Sequence, residues 1–231
     1  KGEVLAGLFL NQKLTLKDYP ALKNNLVGFS VFQKSFKGDV LLHTAGQDYL
    51  EEEILGTRLR YGLFSFFQIN VPIFQKALED ISGFINQDDE VIDYYCGVGS
   101  IGLPLAEKTS SLSLVESNHE AADYVEQNVQ LNKLKNKTEV FCQPAEKIIG
   151  LINSEKVIIF DPPRAGLDKS IIEKIIWERP KRIIYMSCNL ATQARDIGLL
   201  KDIYEIKFSK LYNFFPRTPH IEGLIVLEVK K

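Results

Sequence analysis

Two residues stand out for reactivity: Cys188 and Glu222. Cys188 sits where the apolar pattern Ile183-Ile184-Tyr185-Met186 gives way to polar residues. A free cysteine is most often a small buried hydrophobe, an explanation that suits Cys142. The neighbours of Cys188 (Ser187, Asn189 and Thr192) do not make a core environment, so Cys188 is a candidate nucleophile. Lys181, Arg182 and Arg195 would favour its thiolate if they are near in space as well as in sequence. Asn189 or Thr192 also suits the cap of a following helix, which is the plain structural reason for either residue. Glu222 follows Phe214-Phe215-Pro216-Arg217-Thr218-Pro219-His220-Ile221 and opens a strongly apolar run. A carboxylate there is either on a solvated strand edge or a base in a partly dry cleft. His220 is the weaker candidate, because a lone histidine is more often structural.

A second group of segments has the form of a nucleoside site. The apolar pattern Val91-Ile92-Asp93 leads into Cys96-Gly97-Val98-Gly99-Ser100, a Gly-x-Gly turn that opens a helix. Glycine lets the backbone turn sharply and approach a ligand, and the helix start offers free N–H groups. Glu116 closes the next strand about twenty residues on, where an acid accepts hydrogen bonds from ribose hydroxyls in α/β nucleoside folds. Gly102 falls one position late for Gly-x-Gly-x-x-Gly, which favours a single adenosine ligand over a dinucleotide. Asp161 ends another apolar run and is followed by Pro162, Pro163 and Arg164. The carboxyl ends of parallel strands form the ligand crevice, and the prolines stiffen the exit from the strand. Either turn alone also describes an ordinary strand-to-helix connection; Glu116 at this spacing tips the balance toward a ligand.

The elements that must position these residues follow from the hydrophobic pattern. From residue 90 onward, predicted strands at 90–94, 112–116, 139–142, 157–160, 182–187, 204–208 and 224–229 alternate with predicted helices at 101–108, 118–132, 145–152, 169–177 and 192–199. That alternation predicts an α/β fold with a parallel, doubly wound sheet. Residues 71–85 form an amphipathic helix pattern with Ile73, Ala77, Leu78, Ile81 and Ile85 on one side. Residues 61–70 are an aromatic stretch, strand or connector. Residues 1–60 differ: short β-like runs at 26–32 and 39–43 alternate with turn signals, which predicts a small β-rich appendage. The chain starts inside a strand-like pattern (Val4, Leu5, Leu8, Phe9), as an excised fragment would.

Composition sets bounds on function. The 231 residues are 45% hydrophobic and 25% charged with a net charge of −2, which excludes disorder and a uniformly basic nucleic-acid binder. The total hides an asymmetry: residues 61–163 carry −8 and residues 164–217, around Cys188, carry +5. A phosphate backbone would be drawn to the second segment. Three widely spaced cysteines make a poor disulfide framework and no metal or iron–sulfur clip, so a reducing, cytoplasmic setting and a metal-free site are expected. No apolar run reaches the ~18 residues of a membrane span, and no charged-then-apolar leader opens the chain.

Taken together, the segments resemble the RNA 5-methyluridine methyltransferases. The matching stretches are Phe67-Gln68-Ile69-Asn70, Asp93 to Ser100, Asp161-Pro162-Pro163-Arg164, Ser187-Cys188-Asn189 with Ala194-Arg195-Asp196, and Phe215-Pro216 through His220-Ile221-Glu222. They occur in the family's order over residues 60–231. Leu190 and Asn213 depart from it, standing where Pro and Asp are usual. The resemblance implies a Rossmann-like S-adenosylmethionine-dependent methyltransferase sheet over 61–231, with 1–60 as part of a β-rich RNA-recognition domain. It implies methyl transfer to carbon 5 of a uridine in rRNA or tRNA by a monomeric enzyme, with Cys188 as nucleophile and Glu222 as base. Gln68, Tyr95, Ser100, Glu116 and Asp161 would contact S-adenosylmethionine, with Glu116 on the ribose. The target base must leave its stack, and Phe66, Phe67, Phe214 and Phe215 are candidates to stack on it or to fill the core. Two other readings stand beside this one: a methyltransferase of another substrate class with Cys188 structural, and a non-catalytic RNA-binding fragment.

Overall fold

The computed structural model describes residues 2–12, 18–36, 38–134 and 137–230. In chain order the elements are β1 (Val4–Leu10), β2 (Leu26–Gln33), β3 (Val40–Gly46), β4 (Tyr49–Ile54), β5 (Thr57–Gly62), α1 (Val71–Ser82), β6 (Glu90–Tyr94), α2 (Gly102–Leu105), β7 (Ser111–Glu116), α3 (His119–Leu131), β8 (Thr138–Cys142), β9 (Lys156–Phe160), α4 (Lys169–Glu178), β10 (Arg182–Ser187), α5 (Leu190–Leu200), β11 (Tyr204–Tyr212) and β12 (Glu222–Val229). Among the described residues no helix is long and apolar enough to cross a membrane.

Seven strands form one sheet in the order β11-β12-β10-β9-β6-β7-β8. The five strands from β10 to β8 run parallel, as the alternation of strands and helices predicts. The sheet is nevertheless mixed, because β12 runs antiparallel to both β10 and β11. The cause is the link between β11 and β12. Residues 213–221 are too short for a crossover helix, so the chain must reverse as a hairpin. The reversal sets the register Ser187↔Gly223, which puts the first residue of β12, Glu222, at the carboxyl end of β10.

Both faces of the sheet are buried, and the two-residue period sorts the strand side chains between them. Val91, Val157, Ile159 and Ile184 pack with Phe74 and Leu78 of α1, Leu103 of α2 and Val125 of α3. Ile92, Ile158, Phe160 and Ile183 pack under α4 and α5 against Ile171, Ile175 and Leu200. In α1 the buried face is Phe74, Ala77, Leu78 and Ile81; the predicted Ile73 is only half-buried. The helix predicted at 145–152 does not form. Two single 3-10 turns, Ala145–Lys147 and Ile149–Leu151, stand in its place. Ala145, Ile148, Ile149 and Ile152 do have the spacing of one helical face, but each turn closes through i to i+3 bonds, Ile148 N to Ala145 O and Ile152 N to Ile149 O, and Gly150 in the second turn weakens a helix. The helix predicted at 101–108 is likewise only one turn, followed by a 3-10 turn at Ala106–Lys108.

The N-terminal strands form two small sheets, β1-β2-β3 and the hairpin β4-β5. β5 runs across residue 60, and Ile54 and Leu59 join the core beneath α1 and α3. Side chains of α3 hold this hairpin as another strand would. The Asn128 Oδ1 accepts from Arg60 N at 2.8 Å, and its Nδ2 donates to Arg60 O and Val98 O, both at 3.0 Å. One turn later Asn132 exchanges the same pair of bonds with Arg58, at 3.0 and 2.7 Å. Asn128 is fully buried, so its loss leaves both backbone groups of Arg60 without a partner. Asn128→Ala is expected to destabilise the fold by about 2–4 kcal/mol, read as a lower urea midpoint. An unchanged midpoint would show that the hairpin docks by apolar packing alone.

Candidate active site

The Gly-x-Gly turn leaves β6 under backbone strain. Tyr95 has a left-handed φ of 62°, and Gly99 has φ 84°. Gly102 N donates to Asp93 Oδ2 at 2.9 Å, and a Cβ at Gly102 would stand only 2.9 Å from that oxygen. Glycine is therefore required for α2 to start directly over Asp93. Asp93 is wholly buried and its Oδ1 has no partner. Burial pushes its carboxyl up to about 7, against the hydrogen bond from Gly102, and the charge of Glu116 adds to the rise. Glu116 ends the neighbouring strand and closes over the turn. Its Oε2 accepts from Gly97 N and its Oε1 from Asn118 N, both at 2.8 Å.

The seven residues named from the sequence, Gln68, Tyr95, Ser100, Glu116, Asp161, Cys188 and Glu222, line one cavity of about 320 Å3 at the carboxyl ends of β6, β7, β9 and β10. Phe66, Cys96, Gly97, Pro162 and Pro163 complete the wall. Of these, Cys96 carries no sequence signal of its own, since nothing in the glycine turn separates a wall residue from a core one. The four phenylalanines divide. Phe66 is 65% exposed at the cavity, whereas Phe214 is fully buried. Phe67 is half-buried and stacks on Tyr61 at 4.2 Å, and Phe215 is half-buried with its ring edge-to-face to His220. His220 itself is exposed and does not line the cavity.

Burial governs the ionisation of the reactive groups. Glu222 is 4% exposed, and burial raises its carboxyl to about 7. Burial raises Asp161 well above the ordinary carboxylate range, and the charges of Glu222 and Asp93 push the same way. The Cys188 thiol is also raised, first by burial and then by Glu222 and Asp161; the nearby cation acting against this is Arg164. The predicted thiolate partners are elsewhere. Lys181 pairs with Asp89, and Arg182 with Glu228, at the far end of β10, roughly 20 Å of extended chain from Cys188. Arg195 is engaged with Asp196 and the carbonyl of Ala165. The positive segment charge is thus spent largely in ion pairs, Lys174 with Glu178 and Lys210 with Asp80 among them, rather than gathered at the nucleophile. Cys142 is not the buried cysteine either: it is half-buried and lies 3.1 Å from His119 Nδ1, while Cys96 is the buried one.

The start of α5 ties the loops of the site together. Asn189 is its N-cap and accepts from Ala191 N. The Asn189 Nδ2 and Thr192 Oγ1 both donate to Arg164 O, at 2.9 and 3.2 Å, which pins the loop after Asp161. Gln193, 2% exposed, donates through Nε2 to Tyr185 O and Gly223 O at 2.9 and 3.0 Å. That side chain stitches the ends of β10 and β12 beside Cys188 and Glu222. Buried Asp196 accepts from Leu167 N at 2.9 Å and from Tyr185 Oη at 2.8 Å. Sequence reading passed over Gln193, because an uncharged polar residue inside a helix pattern looks like surface. Among the described residues no cluster of His, Cys, Asp or Glu is arranged to hold a metal ion.

The residues present fit an adenosine-bearing ligand. Gln68 is buried on the cavity wall with Oε1 lacking any hydrogen-bond partner, an acceptor left for a donor that the protein does not supply. Glu116 lines the same cavity beside the glycine turn. The fold is that of the S-adenosylmethionine-dependent methyltransferases. The crystal structure of Pyrococcus abyssi tRNA (uracil-54, C5)-methyltransferase in complex with S-adenosyl-L-homocysteine is similar over 97% of this chain and 56% of that one, with a TM-score of 0.79 and 26% identity. The model of the tRNA (Uracil-5-)-methyltransferase family matches residues 12–230, and the chain belongs to that family. An uncharacterized RNA methyltransferase of Mycoplasma mobile is 38% identical over 184 residues, covering 78% of this chain and 50% of the relative. One of Clostridium acetobutylicum is 32% identical over 197 residues, covering 84% and 43%. The chain spans about half the length of the curated relatives it matches.

The raised thiol gives a direct check. Alkylation by iodoacetamide follows the thiolate fraction, so the Cys188 reaction is expected to titrate above the ordinary cysteine value. Glu222→Gln removes a like charge and is expected to lower that midpoint, with the Cys188 peptide quantified by mass spectrometry. An unmoved midpoint would separate the two side chains electrostatically.

Proposed function

We propose that the protein transfers a methyl group from S-adenosylmethionine to carbon 5 of a uridine in rRNA or tRNA, through a covalent bond between Cys188 and the uracil. The observation that carries this reading is the meeting of Cys188 and Glu222 on the wall that also holds Gln68 and Glu116. A nucleophile with no neighbouring nucleoside site, or the reverse, would not support it.

Carbon 5 of uracil is a poor nucleophile on its own. Addition of the Cys188 sulfur to carbon 6 turns the ring into an enolate and makes carbon 5 reactive, dividing one difficult step into easier ones. S-adenosylmethionine supplies the electrophilic methyl group. Glu222 then takes the proton from carbon 5, and expulsion of the Cys188 thiolate restores the ring. A carboxyl with its pKa near 7 is well suited to accept and return a proton at neutral pH. Gln68, Tyr95, Ser100, Glu116 and Asp161 hold the methyl donor, with Glu116 on the ribose. Exposed Phe66 offers a ring on which the displaced uracil or its neighbour stacks. We assign residues 61–231 to the catalytic domain and residues 1–60 to RNA recognition. The three free cysteines agree with a reducing compartment, and we assign the enzyme to the cytoplasm.

RNA containing 5-fluorouridine is expected to trap a covalent complex, because fluorine cannot leave as a proton; Cys188→Ala is expected to abolish it on a denaturing gel. An adduct surviving in Cys188→Ala would overturn the nucleophile assignment. Glu222→Gln is expected to accumulate a methylated adduct with ordinary RNA, and normal turnover in that variant would remove Glu222 from the mechanism. Methyl transfer unaffected by Cys188→Ser would instead favour another substrate class, and failure to bind S-adenosylmethionine in calorimetry would favour a non-catalytic RNA binder.

A further inference from the structure

The cavity carries an imbalance of charge. Glu116, Asp161 and Glu222 line it, and among the described residues no lysine, arginine or histidine does. Two backbone N–H groups satisfy Glu116. Among the described residues no hydrogen bond or ion pair offsets Asp161 or Glu222. Asp161, at the end of β9, meets the charges of Glu222 from β12 and Asp93 from β6. Glu222 is desolvated without a cation to compensate. The Cys188 sulfur, just past the end of β10, feels both carboxyls, and Arg164, the cation acting on that sulfur, is itself exposed on the loop. Asp93 behind the wall and Cys96 on it both feel Glu116. The buried, unpartnered Oε1 of Gln68 is a second and independent sign that this wall awaits a donor-bearing or cationic group.

S-adenosylmethionine and its product differ at one atom: the donor has a positively charged sulfonium, and S-adenosylhomocysteine a neutral thioether. A cation entering a cavity with uncompensated carboxyl groups stabilises their ionised forms and drives protons out. The neutral product gives them no such reason to ionise. We propose that Asp161 and Glu222 select the methyl donor over its product by charge: the sulfonium binds with release of protons from these two carboxyls, and the thioether binds with fewer. The inference rests on the reading of this cavity as the S-adenosylmethionine site. After methyl transfer the cation is gone, protons return to the wall, and the product is loosened.

The test is calorimetry of both ligands on the full chain, from pH 6 to 8, in buffers of different ionisation heat. The proton count follows from the dependence of the observed heat on the buffer. With one governing group near 7, the affinity ratio of donor to product is expected to rise roughly tenfold across that range. The sign follows from the raised carboxyls, which ionise as pH rises and then attract the sulfonium. Asp161→Asn and Glu222→Gln are each expected to reduce the excess proton release. Comparing each with the wild type cancels protons exchanged by the ligand's own amino group. Equal proton release for both ligands, or an excess unchanged in both variants, would overturn the proposal and leave the site reading intact. If neither ligand bound at all, the site reading and this inference would fall together.

Discussion

The direction of one strand decides what this site can do. Because β12 enters the sheet antiparallel, it begins at the end where the parallel strands finish. Glu222 is its first residue and sits one position from the partner of Ser187, which precedes Cys188. Parallel insertion of the same strand would carry Glu222 to the opposite edge of the sheet, a strand length away from the sulfur. The driving force is local and strong. Leu224, Val226 and Leu227 are buried at 0–1% exposure, and a two-residue period fixes which of them face each core layer. Apolar burial thus brings a carboxylate into a place where water would not leave it, and the raised pKa of Glu222 is the electrostatic consequence.

The start of α5 keeps that arrangement in register. Asn189, Thr192, Gln193, Arg195 and Asp196 lie within two turns, and each bonds to the backbone of a segment at the site. Their partners are the loop after Asp161 and the ends of β10 and β12, the three pieces of chain that carry the reactive groups. Buried carbonyls and N–H groups must be paired, so this helix leaves the loops few alternative positions. A similar economy holds the β4-β5 hairpin, where Asn128 and Asn132 supply to β5 the bonds that a further strand would. The hairpin in turn leads directly into residues 63–70, and so delivers Phe66 and Gln68 to the cavity.

Much of this was legible in the residue order. Strands β6 and β10 fall at the predicted bounds, and the other strands from β7 onward differ mainly by extra residues at their ends, because short apolar runs between turns have few other ways to be buried. The segment 145–152 has the spacing of a helical face yet folds as two 3-10 turns, the second containing Gly150, because spacing alone does not outweigh the local backbone preference. The mixed character of the sheet was missed because hydrophobic pattern is blind to strand direction. Proximity in sequence is a poor guide for Lys181 and Arg182, because in an extended strand six residues cover a distance over which their charge cannot steer Cys188, and Arg195, on α5, is held by Asp196 and the Ala165 carbonyl.

The sequence by itself determined which chemistry was available. A cysteine in polar company, an acid opening an apolar strand, and a glycine turn followed by Glu116 are choices of residue type, and residue type sets nucleophilicity, proton affinity and hydrogen-bonding capacity. Only the tertiary structure decided whether those groups meet and in what state. Five strands and a connecting segment, distant along the chain, had to close on one cavity before Asp161, Cys188 and Glu222 could act on one another. Ionisation depends on desolvation and on neighbouring charge, both properties of the folded surroundings and neither written in the order of the residues.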